Sequence, residues 1–444
     1  MTGTRNNNQL TSLLLIGLLF SIFGFVTWLN GTLIKFLQTA CELNNKQASL
    51  VTFAFFISYF VMAMPSSFIL KKTGFKNGMG LGLLVMAAGC ALFIPAAMQR
   101  NYNIFLAGLF TQGLGLSILQ TASNPYVTIV GPMESAATRI SIMGICNKLA
   151  GALGGILLAQ LLLKPLDAVN KTLETVTDAV QRTTLLHELT QLIIRPYTAL
   201  TLFLILVAIA IRLSPLPDVE DDADTAAAAG TARPLRSYTY LFLGAFAIFA
   251  YVGVEVLAGD YIIKYGSQLA SETGDNTLAG LANYLTSITL FLMLGGYAAG
   301  VALIPRVLSQ EQALRINVIC SIFLSLGVVF LSGKASVICL ALLGFFHAIM
   351  WPAIWPMSIK GLGRHTKTGS ALLIMGIAGG AVIPYIHGTL ADANGGNLQQ
   401  AFWVLLPCYA YLLFFATKGH LIGYRPTKKA VEADEFPDGK SLEP

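Results

Sequence analysis

The chain has 444 residues, of which 55% are apolar and 11% are charged, whereas soluble domains contain roughly 25% charged residues. With a mean hydropathy of +0.68, this composition excludes a disordered chain, a disulfide-rich secreted scaffold and an ordinary soluble enzyme. The formal net charge of +6 comes from basic residues in short connections between apolar runs, which indicates a membrane surface rather than nucleic acid. We therefore predict an integral membrane protein that contacts the lipid bilayer and binds no nucleic acid.

Twelve apolar stretches are each long enough to cross a bilayer, which takes about 20 residues. They lie at about 11–37, 48–70, 78–98, 103–130, 136–163, 197–213, 238–264, 280–304, 314–331, 334–359, 367–391 and 399–417. All are predicted to be helices, because a single segment in lipid must satisfy its own backbone hydrogen bonds. The first stretch is interpreted as a span and not as a signal peptide, since no small-residue cleavage site follows it.

A polar, proline-containing segment at 214–236 has the composition of a linker and divides the spans six and six. The sequence thus predicts an N-terminal six-helix bundle at 1–213, a C-terminal bundle at 237–420 and a tail at 421–444. Basic turns follow both the second and the eighth span, as a duplicated six-helix unit would leave them.

Orientation follows from lysine and arginine residues, which concentrate in the short loops on one side of the predicted spans. Both termini are therefore predicted to be cytoplasmic. The segment 164–196 then lies outside, and its apolar residues at helical spacing predict an amphipathic helix on the surface. The six cysteines lie mostly in apolar runs without metal-ligand spacing, so we expect neither a metal site nor disulfides.

Amide side chains inside the spans are the first candidates for a binding site, since polar groups at membrane depth are functional by default. In span four Gln120 and Asn124 share a helix face, and a proline leaves the Thr121 carbonyl without its helical hydrogen bond. The alternative role of these groups is hydrogen bonding between helices. Asn30 in span one and Asn147 in span five are further partners for hydroxyl groups.

Acidic and basic residues inside the spans are few. Glu255 lies near mid-depth in span seven, where it either binds a cation or proton or forms a structural pair with Lys148 of span five. Asp260 lies nearer the outer end, where a surface pair with Lys264 is expected. Lys35 at the end of span one is expected to extend its amine toward the interface.

Aromatic residues in span ten form a stripe, because His347, Trp351 and Trp355 are spaced by four. An interfacial tryptophan belt is one interpretation; a platform for the C–H face of a sugar is the other, favoured by their mid-span position. His387 in span eleven is expected to be a packing residue. Amides, hydroxyls and tryptophans suit a neutral polyhydroxylated solute, whereas an anionic substrate would need buried arginine.

Several stretches resemble the glucose/galactose branch of the fucose permease family within the major facilitator superfamily. They are 23–25 with 28–31, 120–128, 134–148 and the run Tyr-Val-Gly-Val-Glu-Val at 251–256. The resemblance implies two pseudo-symmetric six-helix bundles around a central cavity that opens alternately to each side, and a sugar symporter.

The same resemblance implies roles for individual residues. Fucose permease couples to protons through acidic residues where this chain has Gly31 and Gln120, and its sugar-contacting asparagine matches Asn147. The missing carboxylates leave Glu255 as the main coupling candidate, and sodium-coupled members of the branch favour Na⁺. His347 and Trp355 stand where relatives are expected to have an amide and a smaller aromatic residue, which leaves an N-acetylated hexosamine open as the sugar.

The sequence therefore predicts an all-α membrane protein of twelve transmembrane helices, located in the bacterial inner membrane, monomeric, and neither an enzyme nor dependent on a cofactor. We expect it to import a neutral sugar, either a hexose such as glucose or galactose or an N-acetylhexosamine, by cation symport with Na⁺. A proton-coupled symporter of the fucose type and an uncoupled facilitator remain alternatives. The predicted sugar-binding residues are Asn30, Gln120, Asn124, Asn147, His347, Trp351 and Trp355, and the predicted cation site comprises Glu255 and the Thr121 carbonyl.

Overall fold

The fold is that of an all-helical membrane protein, as its apolar spans require. The structure is a computed structural model and describes residues 2–129, 136–173, 175–214, 234–304, 307–362 and 365–424. Within these ranges the regular structure is helical throughout, with no strand. Most of the predicted linker and the tail beyond residue 424 lie outside the described residues.

The N-terminal half begins with span one and ends with span six. Its helices are α1 (Thr2–Trp28), α2 (Asn30–Ala40), α3 (Asn45–Ala48), α4 (Leu50–Ala91), α5 (Phe93–Met98), α6 (Tyr102–Ile129), α7 (Ala136–Leu158), α8 (Lys164–Leu173), α9 (Ala179–Gln191) and α10 (Ile194–Leu213). A π-helical turn at Ala159–Leu163 joins α7 to α8.

The C-terminal half holds spans seven to twelve. Its helices are α11 (Thr239–Asp260), α12 (Ile262–Thr273), α13 (Asn276–Ala282), α14 (Leu285–Leu303), α15 (Gln310–Phe330), α16 (Lys334–His347), α17 (Met350–Ile359), α18 (Thr366–Met375), α19 (Gly379–Ala393), α20 (Leu398–Ala401) and α21 (Leu405–Thr417). The apolar core runs continuously through both halves, which pack together through α4 against α19 and α7 against α14.

Span boundaries depend on two internal bends. In α4 the chain turns at Gly74, whose φ of 75° is in the left-handed region that glycine adopts at little cost. The segment Asn45–Met98 has 54 residues, and the turn divides it into the predicted second and third spans. Span ten consists of α16 and α17, which meet at a 40° bend.

Two further spans are interrupted near one face of the molecule. Span one breaks at Leu29, between α1 and α2, and span seven breaks at Tyr261, between α11 and α12. Such interruptions leave backbone N–H and C=O groups free to bond other chain segments. The breaks lie beside each other, because the Gly31 N–H bonds the side chain of Asp260.

The polar segment 164–196 is not the single amphipathic helix that the sequence predicts. It forms two helices, α8 and α9, and α9 begins where the Asp178 side chain accepts hydrogen bonds from the N–H groups of Val180 and Gln181. Leu186 and Leu189 bury the apolar side of α9. We call the side of the molecule that carries α8 and α9 the 164–196 face.

Candidate functional site

An ion pair joins the two halves near the middle of the spans. Lys148 on α7 donates to Glu255 on α11, with 3.0 Å between Nζ and Oε1, and the two side chains are only 10% and 12% exposed. Burial removes water from both charges, so each depends on the other for compensation. In this conformation Lys148 therefore pairs with Glu255, the carboxylate that the sequence predicts to bind a cation.

Aromatic rings surround this pair. The Lys148 ammonium lies 4.3 Å from the centroid of the Trp28 ring, a distance at which a cation is attracted to an aromatic face. Tyr251, one turn before Glu255, is 1% exposed, and Tyr297 packs against the cluster that contains Trp28. Trp28, on span one, thus belongs to the site, although the sequence analysis assigns it no role of its own.

The tryptophans of span ten stack on each other beside the same cluster. The rings of Trp351 and Trp355 are 5.4 Å apart and inclined by 24°, and Tyr251 lies 6.4 Å from Trp351. Both tryptophans remain partly exposed. His347 is fully buried, and its Nε2 lies 2.6 Å from the Tyr409 hydroxyl, so its ring points into the protein interior.

Two of the predicted amide side chains, Gln120 and Asn147, have different hydrogen-bond partners. Gln120 donates to the hydroxyl of Tyr59 over 3.1 Å, and Asn147 makes a long 3.4 Å hydrogen bond to the Phe20 carbonyl. Gln120 and Asn147 are both half-buried. Among the described residues, no hydrogen bond joins either of them to the Lys148–Glu255 pair.

The remaining predicted site residues are placed differently. Asn30 begins α2 and is 1% exposed, with no partner for its Nδ2 among the described residues. The Thr121 hydroxyl bonds the Ser117 carbonyl and lies 3.1 Å from the Ser66 hydroxyl. Asn124 lies on α6, but its side chain is outside the described part of the structure.

Asp260 is not in the surface pair that the sequence predicts with Lys264. Both side chains are buried, at 1% and 8% exposure, and Asp260 Oδ1 accepts a hydrogen bond of 3.1 Å from the Gly31 N–H. A helix break at Tyr261 separates these two residues, so they do not share the face of one continuous helix. The signal missed in the sequence is that Asp260 lies inside the apolar stretch 238–264 and not at its end.

Polar contacts between the halves concentrate toward the 164–196 face. Lys35 pairs with Asp167 at 3.2 Å and donates to Asn283 at 2.8 Å, so its amine bonds across the halves instead of reaching the interface. The Asp392 carboxylate accepts from the backbone N–H groups of Asn45 and Lys46, at 3.1 and 2.7 Å.

Every hydrogen bond between two described residues of opposite halves lies from mid-span to this face. Besides those above, they join Thr52 to Tyr261, Ala152 to Ser287, Gln160 to Tyr284 and Asp167 to Asn283. Hydrogen bonds therefore join the two halves on the side of the 164–196 face.

A cavity of about 560 Å³ also lies at the 164–196 face, lined by residues that include Arg100, Tyr102 and His187. None of the predicted binding residues lines it. The described residues contain no group of three histidine, cysteine, aspartate or glutamate side chains that could hold a metal ion.

Comparison with known proteins agrees with this architecture. A family model described as Major Facilitator Superfamily matches residues 15–384. The chain is 36% identical over 407 residues to a glucose/galactose transporter of Brucella abortus biovar 1 (strain 9-941), covering 90% of this chain and 92% of that relative. It is 32% identical over 409 residues to an L-fucose-proton symporter of Escherichia coli (strain K12), covering 90% of each.

A solved structure shows the same arrangement of helices. The crystal structure of the Major Facilitator Superfamily transporter FucP in the outward conformation superposes with a TM-score of 0.69 at 30% identity, covering 93% of this chain and 99% of FucP. These relatives and this fold are those of multi-pass membrane transporters and not of enzymes. The chain belongs to the Major Facilitator Superfamily and, within it, to the glucose/galactose branch of the fucose permease family.

Proposed function

We propose that this protein imports a neutral sugar across the bacterial inner membrane by cation symport. The relatives that share about a third of its residues are a glucose/galactose transporter and an L-fucose-proton symporter. The stacked, partly exposed Trp351 and Trp355 offer an apolar platform of the kind on which the C–H face of a sugar packs. The substrate is a hexose such as glucose or galactose, or an N-acetylhexosamine.

The basic loops orient the protein with both termini in the cytoplasm, which makes the 164–196 face external. The hydrogen bonds between the halves then close the external side in the described conformation. Transport proceeds by exchanging this closure for one on the cytoplasmic side, with the halves moving as units.

The observation that carries the coupling mechanism is the 3.0 Å contact between Lys148 and Glu255 across the halves. When the external side is open the two residues lie on separating halves, and Glu255 binds the incoming cation. As the external side closes, the Lys148 ammonium approaches the same carboxylate and displaces the cation toward the cytoplasm. Na⁺ is the proposed ion; a proton would be displaced by the same approach.

The transport of one cation with each sugar supplies enough free energy to accumulate the sugar. A charge moved through about 100 mV supplies roughly 2.3 kcal/mol, which corresponds to on the order of 50-fold accumulation of the sugar. The sugar itself is held by Gln120, Asn124 and Asn147, whose amides match hydroxyls, and by the tryptophan pair. Asn30 and His347 are buried in this conformation and are not part of the proposed contact.

Counterflow in proteoliposomes tests this function. Proteoliposomes that contain the purified protein are loaded with each of a panel of hexoses and N-acetylhexosamines. Uptake of labelled sugar is then measured with and without Na⁺ at fixed pH. We expect exchange of one sugar class, Na⁺-driven accumulation, and loss of accumulation but not of exchange in Glu255→Gln. Glu188→Gln, which changes an exposed glutamate on α9, is the matched control.

The outcomes separate the alternatives. Accumulation driven by a pH gradient and indifferent to Na⁺ identifies the proton-coupled form. Exchange without any accumulation under either gradient identifies a facilitator and refutes symport. Sugar binding without exchange refutes transport altogether.

A further inference from the structure

Asp260 is a buried carboxylate to which the proposed symport assigns no role. It ends α11, is 1% exposed and lies where the breaks of span one and span seven meet. Its Oδ1 accepts one hydrogen bond, from the Gly31 N–H at 3.1 Å, and its Oδ2 has no donor among the described residues. The carboxylate is thus enclosed between the two halves with half of its acceptor capacity unused.

The packing around this carboxylate is tight. A methyl group built on Gly31 would lie 2.9 Å from the Asp260 carbonyl oxygen and 3.0 Å from the Thr286 hydroxyl. That hydroxyl is directed to the Gly259 carbonyl and therefore does not compensate the Asp260 charge. The space admits no larger side chain at residue 31 while the external side is closed.

Among the residues that the structure describes, none forms an ion pair with Asp260. The described titratable groups around it are Lys148 on α7, Glu255 on α11, Tyr261 at the break and, beyond Tyr261, His387 on α19, and Lys264 follows on α12. Lys148 is bonded to Glu255, which adds a second negative charge near Asp260. Lys264 is buried without a hydrogen-bond partner among the described residues and forms no ion pair with Asp260.

A carboxylate enclosed in this way is strongly disfavoured in its ionised form, because burial removes its hydration and a single N–H replaces only part of it. Binding a proton removes the charge and leaves the contact with Gly31 intact. We propose that Asp260 is a proton-binding site whose occupancy is required for the external side to close. Opening separates Asp260 from α2, admits water and releases the proton.

This inference goes beyond the proposed symport, since it depends neither on the sugar nor on the ion at Glu255; it rests only on the orientation given above. A group that binds a proton in one conformation and releases it in the other makes the conformational equilibrium depend on pH. Acid therefore favours the closed external side, and alkali favours the open one. Between the two titration midpoints, the ratio of open to closed protein changes about tenfold for each pH unit.

The experiment measures external opening directly. Spin labels are placed at Val180 on α9 and Ser271 on α12, two exposed positions on opposite halves at the external face, in a full-length background lacking the native cysteines. Distance distributions are recorded in lipid nanodiscs without sugar from about pH 5.5 to about pH 8.5. We expect the long-distance population to rise at least tenfold with pH, and to stay low at every pH in Asp260→Asn.

Two further variants keep the test decisive. The double variant Lys148→Gln/Glu255→Gln, which removes the ion pair without freeing the ammonium, should retain the pH response; a response lost in this double variant but kept in Asp260→Asn assigns the titration to the ion pair and overturns the proposal. Gly31→Ala should hold the external side open at every pH, because its methyl group prevents the close contact. An opening that follows Na⁺ at constant pH, or that persists with unchanged pH dependence in Asp260→Asn, also overturns the proposal.

Discussion

Replacing Lys148 with glutamine should tighten the binding of the driving cation, because the ammonium and the cation compete for Glu255. At 3.0 Å and an effective dielectric constant of about 20, two unit charges attract by about 5.5 kcal/mol. Desolvation offsets much of this, and contacting pairs measured by double-mutant cycles couple by about 0.5–3 kcal/mol. Taking about 2 kcal/mol, removal of the competitor should lower the half-saturating Na⁺ concentration about 30-fold.

The assay is Na⁺-dependent sugar exchange in proteoliposomes, with the Na⁺ concentration varied on both sides. Lys148→Gln should show half-maximal exchange at lower Na⁺ but reduced net accumulation, since nothing displaces the ion on the inside. Lys171→Gln, an exposed lysine on α8, serves as the control. An unchanged or higher Na⁺ requirement in Lys148→Gln would refute the competition that the ion pair implies.

Three further predictions concern the sugar site, the packing and the external face. Trp355→Ala should raise the sugar concentration needed for half-maximal exchange at least tenfold by removing a stacking surface, whereas Trp403→Ala should leave it unchanged; equal effects would contradict the platform. Gly24→Ala should lower the thermal unfolding midpoint measured by intrinsic fluorescence, because its methyl group would overlap a backbone carbonyl of span five; an unchanged midpoint would contradict this close approach. Hydrogen bonding from Arg100 holds the pKa of Glu42 below its usual range. The carboxylate should therefore stabilise the fold at a pH above its unfolded-state pKa, and this stabilisation should be lost as the pH falls through the lower folded-state pKa. The pH dependence of the unfolding midpoint, compared between wild type and Glu42→Gln, checks this.

The family and the all-helical fold were predictable from the sequence because lipid permits few solutions. Apolar stretches of sufficient length must be helices, and the span-four-to-five block at 120–148 carries a specific family resemblance. Bends were less visible: the π-helical turn after α7 and the break at Tyr261 involve residues without unusual composition.

The sequence allowed us to predict which residues belong to the site, but not which of them contact each other. The sequence offered two interpretations of Glu255, and the choice between them depends on the relative position of two halves that a local pattern cannot supply. The contact of Lys148 with Glu255 joins residues 107 positions apart, and that of Gly31 with Asp260 joins residues 229 apart. The roles of Gln120 and Asn147 in sugar binding stay predictions.

The contact between Asp392 and the first residues of α3 has an evolutionary consequence. Its donors are the main-chain N–H groups of residues 45 and 46, which every amino acid except proline provides. Substitutions at residues 45 and 46 can therefore leave this contact between the halves intact, whereas a substitution of Asp392 removes the acceptor. A saturation library over these three positions should show tolerance at two of them, apart from proline, and intolerance at the third.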